Sequence, residues 1–323
     1  MDGLHMMHFC TLFDQRYACR ALVMLESLER HCKSHRFDVT ILAMDREVHS
    51  IVQSFKRPHW RVLSVSDLGD SELCRLEKTR PRREFCWTAA PALCSHLVSS
   101  LQPEDYVFYV DADMEFFLDP GVLLAETSQA DCIFIHEHRF SPDMIEQESV
   151  SGRFNVGLVG FRVRDEAINC VKRWREQVIE SCEMDPTNGS CGDQIYLNEW
   201  PKTYRGVRVL ENIGAGVGPW NVNAYQVSDF ASSFAVDGVP VVFFHFHAFR
   251  VVAAFPIGPT MIRPAYGYRF SRAAVNSIFK PYAKRISNMS SRLRDLGFIV
   301  EPDERASVRQ AVGGIARGDI VFV

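Results

Sequence analysis

In the first half of the chain, short apolar segments alternate with longer segments whose apolar residues recur at helical spacing. The short segments are rich in β-branched and aromatic residues, which favour buried strands. Such alternation is typical of parallel strands joined by helical crossovers. The sequence therefore predicts an α/β fold with a mostly parallel, doubly wound and twisted sheet flanked by helices. The predicted strands are residues 6–12, 37–44, 61–65, 106–110 and 130–136, and the predicted helices are residues 17–32, 47–55 and 85–101.

The second half is less regular, and no repeat or low-complexity linker separates it from the first. Three glycines and a proline within residues 212–223 predict a loop where backbone can approach a ligand closely. With 323 residues and 47% hydrophobic content, the chain can bury the core of two lobes. We therefore treat residues 1–262 as one two-lobed unit. Its further predicted strands are residues 154–161, 207–210 and 241–245, and its further predicted helices are residues 165–183 and 192–199.

Residues 263–323 differ in character, because arginines and lysines accompany apolar residues at helical spacing. This pattern predicts a basic, mainly helical C-terminal extension. A basic amphipathic helix can lie on a membrane surface or bind an anionic partner. More often it is a solvated helix packed on its own domain, and we favour that interpretation.

Two aspartates follow the strongest of the predicted strands. Tyr106–Val110 is an apolar run, and Asp111 and Asp113 come directly after it. Because side chains at positions i and i+2 of an extended segment point to the same side, the two carboxylates can converge on one hard cation. Ligands of open α/β sheets bind just past the carboxyl ends of strands, and Mg²⁺ is usually held by one or two carboxylates plus phosphate oxygens. On this motif alone, the alternative that both aspartates cap a turn or the next helix stays open.

Polar residues at four other places could complete such a site. His245 and His247 alternate onto one side of a strand end, and imidazole is a normal ligand of first-row ions, although we expect one of the two to be an ordinary core histidine. Arg250 could neutralise phosphate charge. Asn155 lies inside an apolar strand, where a buried amide needs a partner such as a ligand hydroxyl. Asp193-Gln194 opens a short helix, where the aspartate could face a substrate or simply cap the helix.

Charge and composition exclude several classes of partner and location. A net charge of −4 and a pI near 6.3 provide no basic field that would suggest nucleic acid. The ten cysteines are scattered without zinc-ligand spacing, as free cytosolic thiols are. Neither a leader peptide nor an apolar run of transmembrane length is evident. We therefore expect a cytoplasmic protein, with peripheral contact to the inner face of the membrane through the basic extension as an open alternative.

Four motifs, taken in order, resemble those of GT-A glycosyltransferases, which transfer sugars from nucleotide-diphosphate donors. They are Asp111-Ala112-Asp113 after a strand, Phe154-Asn155-Val156-Gly157, the helix start Asp193-Gln194, and His245 after an apolar strand. The order of the four motifs resembles that of the retaining group, which includes glycogenin and bacterial lipooligosaccharide galactosyltransferases. Residues 84–93, 218–221 and 244–247 look closest to an uncharacterised bacterial subgroup. The resemblance covers about residues 6–250 and implies the GT-A fold.

The resemblance also implies an activity and a set of roles. The activity is a hexosyl transfer, with retention, from a nucleotide-diphosphate donor such as a UDP-sugar to a carbohydrate, lipid-linked or small-molecule acceptor in bacterial glycan biosynthesis. Residues 1–130 would bind the nucleotide, and residues 131–262 the donor sugar and acceptor. Mn²⁺ or Mg²⁺ would be held by Asp111, Asp113 and His245. The nucleotide would contact Thr11, Asp111, Ala112, Asp113 and Arg250. Donor sugar and acceptor would contact Asn155, Asp193, Gln194, Trp220, Asn221 and His247, with Gln194 and Asp193 as the catalytic pair.

The chain departs from the family pattern at two positions where the resembling enzymes carry a positively charged side chain. The resembling enzymes carry a donor-contacting arginine in the helix before the metal strand, whereas residues 88–93 here contain none. Arg82 or Arg83 could replace it. The lysine that usually follows the C-terminal histidine is replaced at similar spacing by Arg250. These departures leave the donor sugar and base open.

Two other classes of protein share part of this pattern. Phosphohydrolases of the haloacid-dehalogenase type also have a strand followed by Asp-x-Asp, but at their first strand and followed by Thr or Val, whereas Met114 follows here. Sugar-nucleotide pyrophosphorylases are disfavoured because residues 10–18 contain no glycine-rich phosphate loop. A non-catalytic nucleotide-sugar-binding relative ranks below the enzyme, because all the expected metal ligands are present.

Overall fold

The computed structural model describes residues 5–185, 190–231, 233–255, 260–264, 269–317 and 320–322. Its strands are β1 (Met7–Phe13), β2 (Phe37–Ala43), β3 (Trp60–Leu63), β4 (Tyr106–Val110), β5 (Met114–Phe116), β6 (Ile133–Glu137), β7 (Phe154–Arg162), β8 (Met184–Asp185), β9 (Ser190–Cys191), β10 (Val207–Leu210), β11 (Val227–Phe230), β12 (Ser233–Val236), β13 (Val239–Pro240), β14 (Phe243–His245), β15 (Arg250–Phe255), β16 (Thr260–Arg263), β17 (Glu304–Ser307) and β18 (Val321–Phe322). Its α-helices are α1 (Ala18–His31), α2 (Arg46–Ser54), α3 (Ser71–Leu76), α4 (Arg82–Val98), α5 (Glu148–Ser151), α6 (Asp165–Glu180), α7 (Trp200–Thr203), α8 (Arg272–Ala274), α9 (Lys280–Asp295) and α10 (Val308–Arg317).

Seven strands form the central sheet in the order β10-β6-β7-β4-β1-β2-β3. Strand β1 pairs in parallel with β2 and β4, β2 pairs in parallel with β3, and β10 pairs in parallel with β6. Strand β7 runs antiparallel to both of its neighbours, β4 and β6. The predicted α/β class with a mostly parallel, helix-flanked sheet is therefore confirmed.

The reversed direction of β7 brings two sequence motifs to one edge of the sheet. Strand β4 ends at Val110, which lies opposite Leu158 of β7. The first residues of β7 therefore lie beside the residues that follow β4. The amide of Asp111 donates a hydrogen bond of 2.9 Å to the carbonyl of Gly157. The Asp-x-Asp and Phe-Asn-x-Gly motifs are thus neighbours in space.

Helices cover both faces of the central sheet. Residues of β1 alternate between two hydrophobic clusters, as side chains of a strand must. Phe9 belongs to the cluster that includes α1 and α9, and Cys10 belongs to the cluster that includes α4 and α6. All residues of β1 and β4 are buried, as expected of strands that are covered on both sides.

A two-stranded ribbon closes the sheet edge beyond Asp113. Strand β5 begins directly after this aspartate and pairs antiparallel with β14, so that His245 lies opposite Met114. The amide of Phe246 donates a hydrogen bond of 2.8 Å to the carbonyl of Asp113. The predicted strand 241–245 is confirmed only over Phe243–His245, and it pairs with β5 instead of joining the central sheet. This ribbon carries the C-terminal histidines to the aspartates.

The basic extension packs on the rest of the chain. Helix α9 shares a hydrophobic cluster with α1, and its Tyr282 ring stacks on Phe246 with ring centroids 3.5 Å apart. Arg285 of α9 pairs with the buried Glu115, with 2.7 Å between its Nη2 and the carboxylate Oε2. Strands β17 and β18 pair with β15 and β16 in a small sheet. Among the described residues, no helix is both long enough and apolar enough to span a bilayer.

Candidate metal centre

Two carboxylates and an imidazole converge where β4 ends. Asp111 follows the last residue of β4, and its Oδ1 accepts a hydrogen bond of 2.8 Å from the Tyr109 hydroxyl. Asp113 precedes β5, and its Oδ1 lies 3.0 Å from Nε2 of His245. The Oδ2 of Asp111 lies 3.7 Å from the same nitrogen. Three side chains from two distant parts of the sequence therefore point at one small volume.

The donor atoms of this group fit a divalent cation. Two ligand atoms at right angles around an ion, each about 2.1 Å from it, are about 3.0 Å apart, as Asp113 and His245 are. Carboxylate oxygen and imidazole nitrogen suit Mg²⁺, Mn²⁺ and other first-row ions. Asp113 and His245 are nearly fully buried, whereas 34% of the Asp111 side chain is exposed. An ion bound there would keep open positions on the side of Asp111.

The electrostatics of the group favour a bound cation. Burial alone would raise the pKa of Asp113, but the His245 imidazole, which attracts and hydrogen-bonds the carboxylate, lowers it to about 2. Burial, reinforced by the Asp113 carboxylate, raises the pKa of Asp111. The Asp113 carboxylate disfavours ionisation of Asp111, and a shared positive charge relieves that repulsion. A cation bound between the two carboxylates would therefore stabilise the site.

His247 offers a further nitrogen at the exposed side. A ligand atom of His247 lies within 4.8 Å of ligand atoms of both Asp113 and His245. Desolvation at this position, together with the neighbouring His245, lowers the pKa of His247 to about 4. Its imidazole is therefore neutral near pH 7 and able to bind a metal ion. The sequence predicted a donor-sugar or acceptor contact for His247, and the geometry adds metal binding as an alternative.

Asn155 lies behind His245 and not at the surface of the site. Its Oδ1 accepts a hydrogen bond of 2.8 Å from the Gly157 amide and lies 3.3 Å from Nδ1 of His245. Its Nδ2 lies 3.0 Å from Nε2 of His138. The close approach explains Gly157, because a Cβ there would lie only 2.5 Å from Nδ1 of His245.

Asp193 and Gln194 lie at the start of a 3-10 helix over Gln194–Glu199, where the sequence predicted a helix. Asp193 is buried, and burial, reinforced by the Asp111 carboxylate, raises its pKa. The carboxylates of Asp193 and Asp111 are therefore within electrostatic range of each other. Gln194 donates a hydrogen bond of 2.7 Å from Nε2 to the carbonyl of Ser151. Gly192, at φ +56°, allows the turn and lies against the Trp87 ring.

The loop between β10 and β11 supports the site through two side chains. Asn221 is fully buried, and its Nδ2 donates to the carbonyls of His138 and Gly216 at 2.7 and 3.0 Å. Trp220 donates from Nε1 to the same His138 carbonyl at 2.9 Å, and its ring meets His245 edge-on at 5.3 Å. Both predicted donor-sugar residues therefore lie in the wall that holds His245.

The residues predicted to contact the nucleotide include Thr11 on β1, the strand that pairs with β4, and Arg250 at the start of β15. Thr11 of β1 is buried, and its Oγ1 has no hydrogen-bond partner among the described residues. A buried hydroxyl without a partner is rare. Ala112 is buried between the two aspartates. Arg250 is exposed at the start of β15, and no described residue forms an ion pair or hydrogen bond with its guanidinium.

The structure distinguishes the two arginines that could replace the missing family arginine. Arg82 donates from Nη2 to the Met44 carbonyl at 2.5 Å, and its Nε lies 3.7 Å from Asp14. Arg83 is exposed, lies 5.4 Å from the centre of the Trp87 ring, and has an electrostatic effect on His247. Arg83 is therefore the one that acts electrostatically on a histidine of the candidate metal centre.

Several neighbours of the site were not predicted from the sequence. Tyr17, after β1, is 46% exposed, and the Asp113 carboxylate raises its pKa to about 12. Tyr109 and His138 bond to site residues as described above. The period-2 alternation of β4 could have identified Tyr109, which points to the same side as Asp111. His138 carries no such signal, because its role depends on which strands pair.

Comparison with known proteins supports the fold. No protein-family model matches the chain. The chain is 31% identical over 278 residues to the uncharacterized protein YfnD of Bacillus subtilis (strain 168), covering 85% of this chain and 87% of YfnD. It is 27% identical over 253 residues to the uncharacterized protein YfnF of the same strain, covering 76% of this chain and 82% of YfnF.

The solved structure of the galactosyltransferase LgtC with donor and acceptor sugar analogs is 15% identical, covers 89% of this chain and 99% of LgtC, and has a TM-score of 0.54. At this identity the structural match shows the fold, which is the GT-A fold that the motifs predict.

Proposed function

We propose that this chain, which belongs to the same protein family as YfnD of Bacillus subtilis and has the GT-A fold, is a metal-dependent glycosyltransferase that uses a nucleotide-diphosphate sugar. The observation that carries the proposal is the convergence of Asp111, Asp113 and His245 at the carboxyl end of β4. Open α/β sheets bind ligands at this edge. Two carboxylates that faced a diphosphate directly would repel it. The proposal therefore requires a cation between the carboxylates and the diphosphate.

The proposed mechanism follows from the leaving group. When the bond between the sugar carbon and the diphosphate breaks, negative charge develops on the nucleotide. A bound Mn²⁺ or Mg²⁺ supplies Lewis-acid stabilisation of that charge. Asp111, Asp113 and His245 would hold the ion, and His247 is a further candidate ligand. The exposed guanidinium of Arg250 can donate paired hydrogen bonds to phosphate oxygens.

The nucleotide would occupy the side of the site bordered by Thr11 and Ala112. The Thr11 hydroxyl lacks a partner among the described residues, so a ligand atom there would satisfy it. The exposed Tyr17 ring stands nearby and offers an aromatic face. We propose a UDP-sugar as donor, following the family resemblance. The proposed acceptor is a carbohydrate, a lipid-linked sugar or a small molecule, and the proposed location is the cytoplasm.

We further propose that the reaction retains anomeric configuration. Gln194 would lie near the anomeric carbon, and Asp193 would bind donor hydroxyls. An inverting enzyme would instead need Asp193 as general base beside the acceptor hydroxyl. Proton NMR of the product decides: an α-linked product from an α-linked donor supports retention. A β-linked product together with an inactive Asp193→Asn would make Asp193 the base.

A panel of nucleotide sugars tests the proposed function. Thermal unfolding is measured with each donor, with and without Mn²⁺, and donor hydrolysis or transfer is followed by release of the nucleotide. A ligand at 100 times its Kd stabilises the native state by about 2.7 kcal/mol. We expect one UDP-sugar to raise the Tm only when Mn²⁺ is present. Equal stabilisation in excess EDTA would refute the metal dependence, and no response to any donor would refute the function.

A further inference from the structure

We propose that His138 and Asn155 are positioning residues that keep a proton on Nδ1 of the His245 imidazole and turn its Nε2 towards Asp111 and Asp113, where a cation would bind. A histidine that binds a metal through Nε2 must have this tautomer, and a hydrogen bond to the other ring nitrogen selects it. The cation in this inference rests on the proposed function. The hydrogen-bond chain exists in the protein without it.

The chain of hydrogen bonds starts at a backbone carbonyl, which can only accept. The carbonyl of Arg153 lies 3.3 Å from Nδ1 of His138, so this nitrogen carries the proton. Burial lowers the pKa of His138 to about 3, so its Nε2 is bare and acts as an acceptor. Nε2 of His138 lies 3.0 Å from Nδ2 of Asn155. The amide nitrogen of Asn155 therefore donates to His138.

A second anchor fixes the same orientation of the Asn155 amide. The backbone amide of Gly157 donates to Oδ1 of Asn155 at 2.8 Å. If the side chain were flipped, its NH₂ group would face the Gly157 N–H, donor against donor, and its oxygen would face the bare Nε2 of His138, acceptor against acceptor. Oδ1 thus points at Nδ1 of His245, 3.3 Å away. Because an amide oxygen can only accept, Nδ1 of His245 must donate. The other ring nitrogen, Nε2, therefore faces the carboxylates and lies 3.0 Å from Oδ1 of Asp113.

Burial makes each of these bonds necessary. His138, Asn155 and His245 are 3%, 5% and 3% exposed, so bulk water cannot replace a missing partner. An unpaired buried donor or acceptor costs about 1–3 kcal/mol. His138 is itself held in place, because Trp220 and Asn221 donate to its carbonyl and Phe140 stacks on its ring at 4.6 Å.

The first test reads the tautomer directly and does not depend on activity. Protein labelled with ¹⁵N in its histidine rings gives one set of ring signals per histidine, and the His245→Gln variant identifies those of His245. In the metal-free protein we expect a proton on Nδ1 of His245 at neutral pH and above. Addition of Mg²⁺ should leave that proton in place. A bare Nδ1 in the wild type would overturn the proposal, whether or not the protein transfers sugars.

The second test measures Mn²⁺ affinity by calorimetry. Asn155→Leu removes the acceptor for His245 at similar volume, and loss of such an outer partner weakens metal binding by about 10- to 100-fold. Asn155→Asp keeps an acceptor oxygen and should bind Mn²⁺ more tightly than Asn155→Leu. His138→Phe keeps the stacking ring but removes the acceptor, and it should weaken binding by less than Asn155→Leu.

His136→Phe is the matched control. His136 lies on β6, two residues before His138, and is 1% exposed, and no hydrogen bond joins it to Asn155 in the described structure. Loss of stability without loss of Mn²⁺ affinity is expected for this variant. A folded Asn155→Leu with wild-type Mn²⁺ affinity would overturn the positioning role. Failure of the wild type to bind Mn²⁺ would refute the proposed function, while the ring signals of His245 would still decide the tautomer.

Discussion

The candidate metal centre has two sides that are built in different ways. The carboxylate side, Asp111 and Asp113, lies on one continuous segment between β4 and β5 and is supported by the central sheet. The imidazole side, His245 and His247, arrives from the far end of the chain on β14 and is held by side-chain hydrogen bonds of Asn155. The first side supplies charge from a rigid frame. The second supplies a ligand whose orientation depends on neighbours, so the two sides should respond differently to substitution.

The largest effect is expected on the carboxylate side. Asp113→Asn removes one ligand charge with little change in volume, so the fold should survive while turnover falls by about 10²–10³-fold or more. The exposed Asp143 provides the control, because Asp143→Asn should leave turnover unchanged. Initial rates with the donor from the nucleotide-sugar panel measure both. A fully active Asp113→Asn would contradict the metal assignment.

The next effect distinguishes the two histidines of the imidazole side. His245 is nearly fully buried, and its Nε2 lies 3.0 Å from Asp113, whereas His247 is exposed. We expect His245→Ala to weaken Mn²⁺-dependent nucleotide binding more than His247→Ala does. Calorimetry with UDP and Mn²⁺ measures the order. The reverse order would mean that His247 is the principal ligand and that the assignment is displaced by two residues.

A third substitution moves the imidazole without removing it. In Gly157→Ala the added Cβ would lie 2.5 Å from Nδ1 of His245 and 2.6 Å from Oδ1 of Asn155, so the ring must shift. Mn²⁺ affinity should fall several-fold. Gly160→Ala on the same strand would press on Phe108 instead, with an expected loss of about 1–3 kcal/mol in the free energy of unfolding and no loss of affinity. Equal Mn²⁺ affinity of Gly157→Ala and Gly160→Ala would contradict the claim that the imidazole side depends on the packing around His245.

The smallest expected effect lies at the rim of the site. Arg83→Gln removes the exposed guanidinium beside Trp87, whereas Arg82→Gln removes one that is bound to the Met44 carbonyl. We expect Arg83→Gln to weaken binding of the nucleotide sugar several-fold and Arg82→Gln to affect stability instead. Titration calorimetry with the donor and denaturant unfolding separate the two outcomes. If only Arg82→Gln weakened donor binding, Arg82 would be the donor contact.

The fold was largely predictable because its first half obeys local rules. The apolar runs that become β1, β2 and β4 are short and dense, and the stripe of α1 has clear helical spacing. The direction of β7 was not predictable, because strand pairing depends on long-range contacts. The strand predicted at 241–245 is apolar enough for the centre of a sheet, yet it pairs with β5 outside the central sheet. Its partner is the short strand β5, which begins directly after Asp113.

The candidate site divides in the same way. The sequence predicted that Asp111 and Asp113 point together because side chains alternate along an extended segment, whereas the structure has Ala112 and Asp113 in a turn between β4 and β5, with both aspartates near His245. The environment of Asn155 could not be read from its sequence neighbours. Its partners are His138, which follows β6, and His245, which ends β14, so the hydrogen-bond chain is visible only once β6, β7 and β14 are placed in space.

The stacking of Tyr282 on Phe246 has a consequence for how the protein is made. Phe246 stands between the two histidines, and the ring that covers it belongs to α9. A ribosome synthesises both aspartates long before it reaches His245, and Tyr282 emerges later still. The nascent chain therefore carries an incomplete ion site through most of its synthesis. Cation capture would follow only once α9 has closed over the ribbon of β5 and β14, so that a tightly held ion would indicate that this packing is complete.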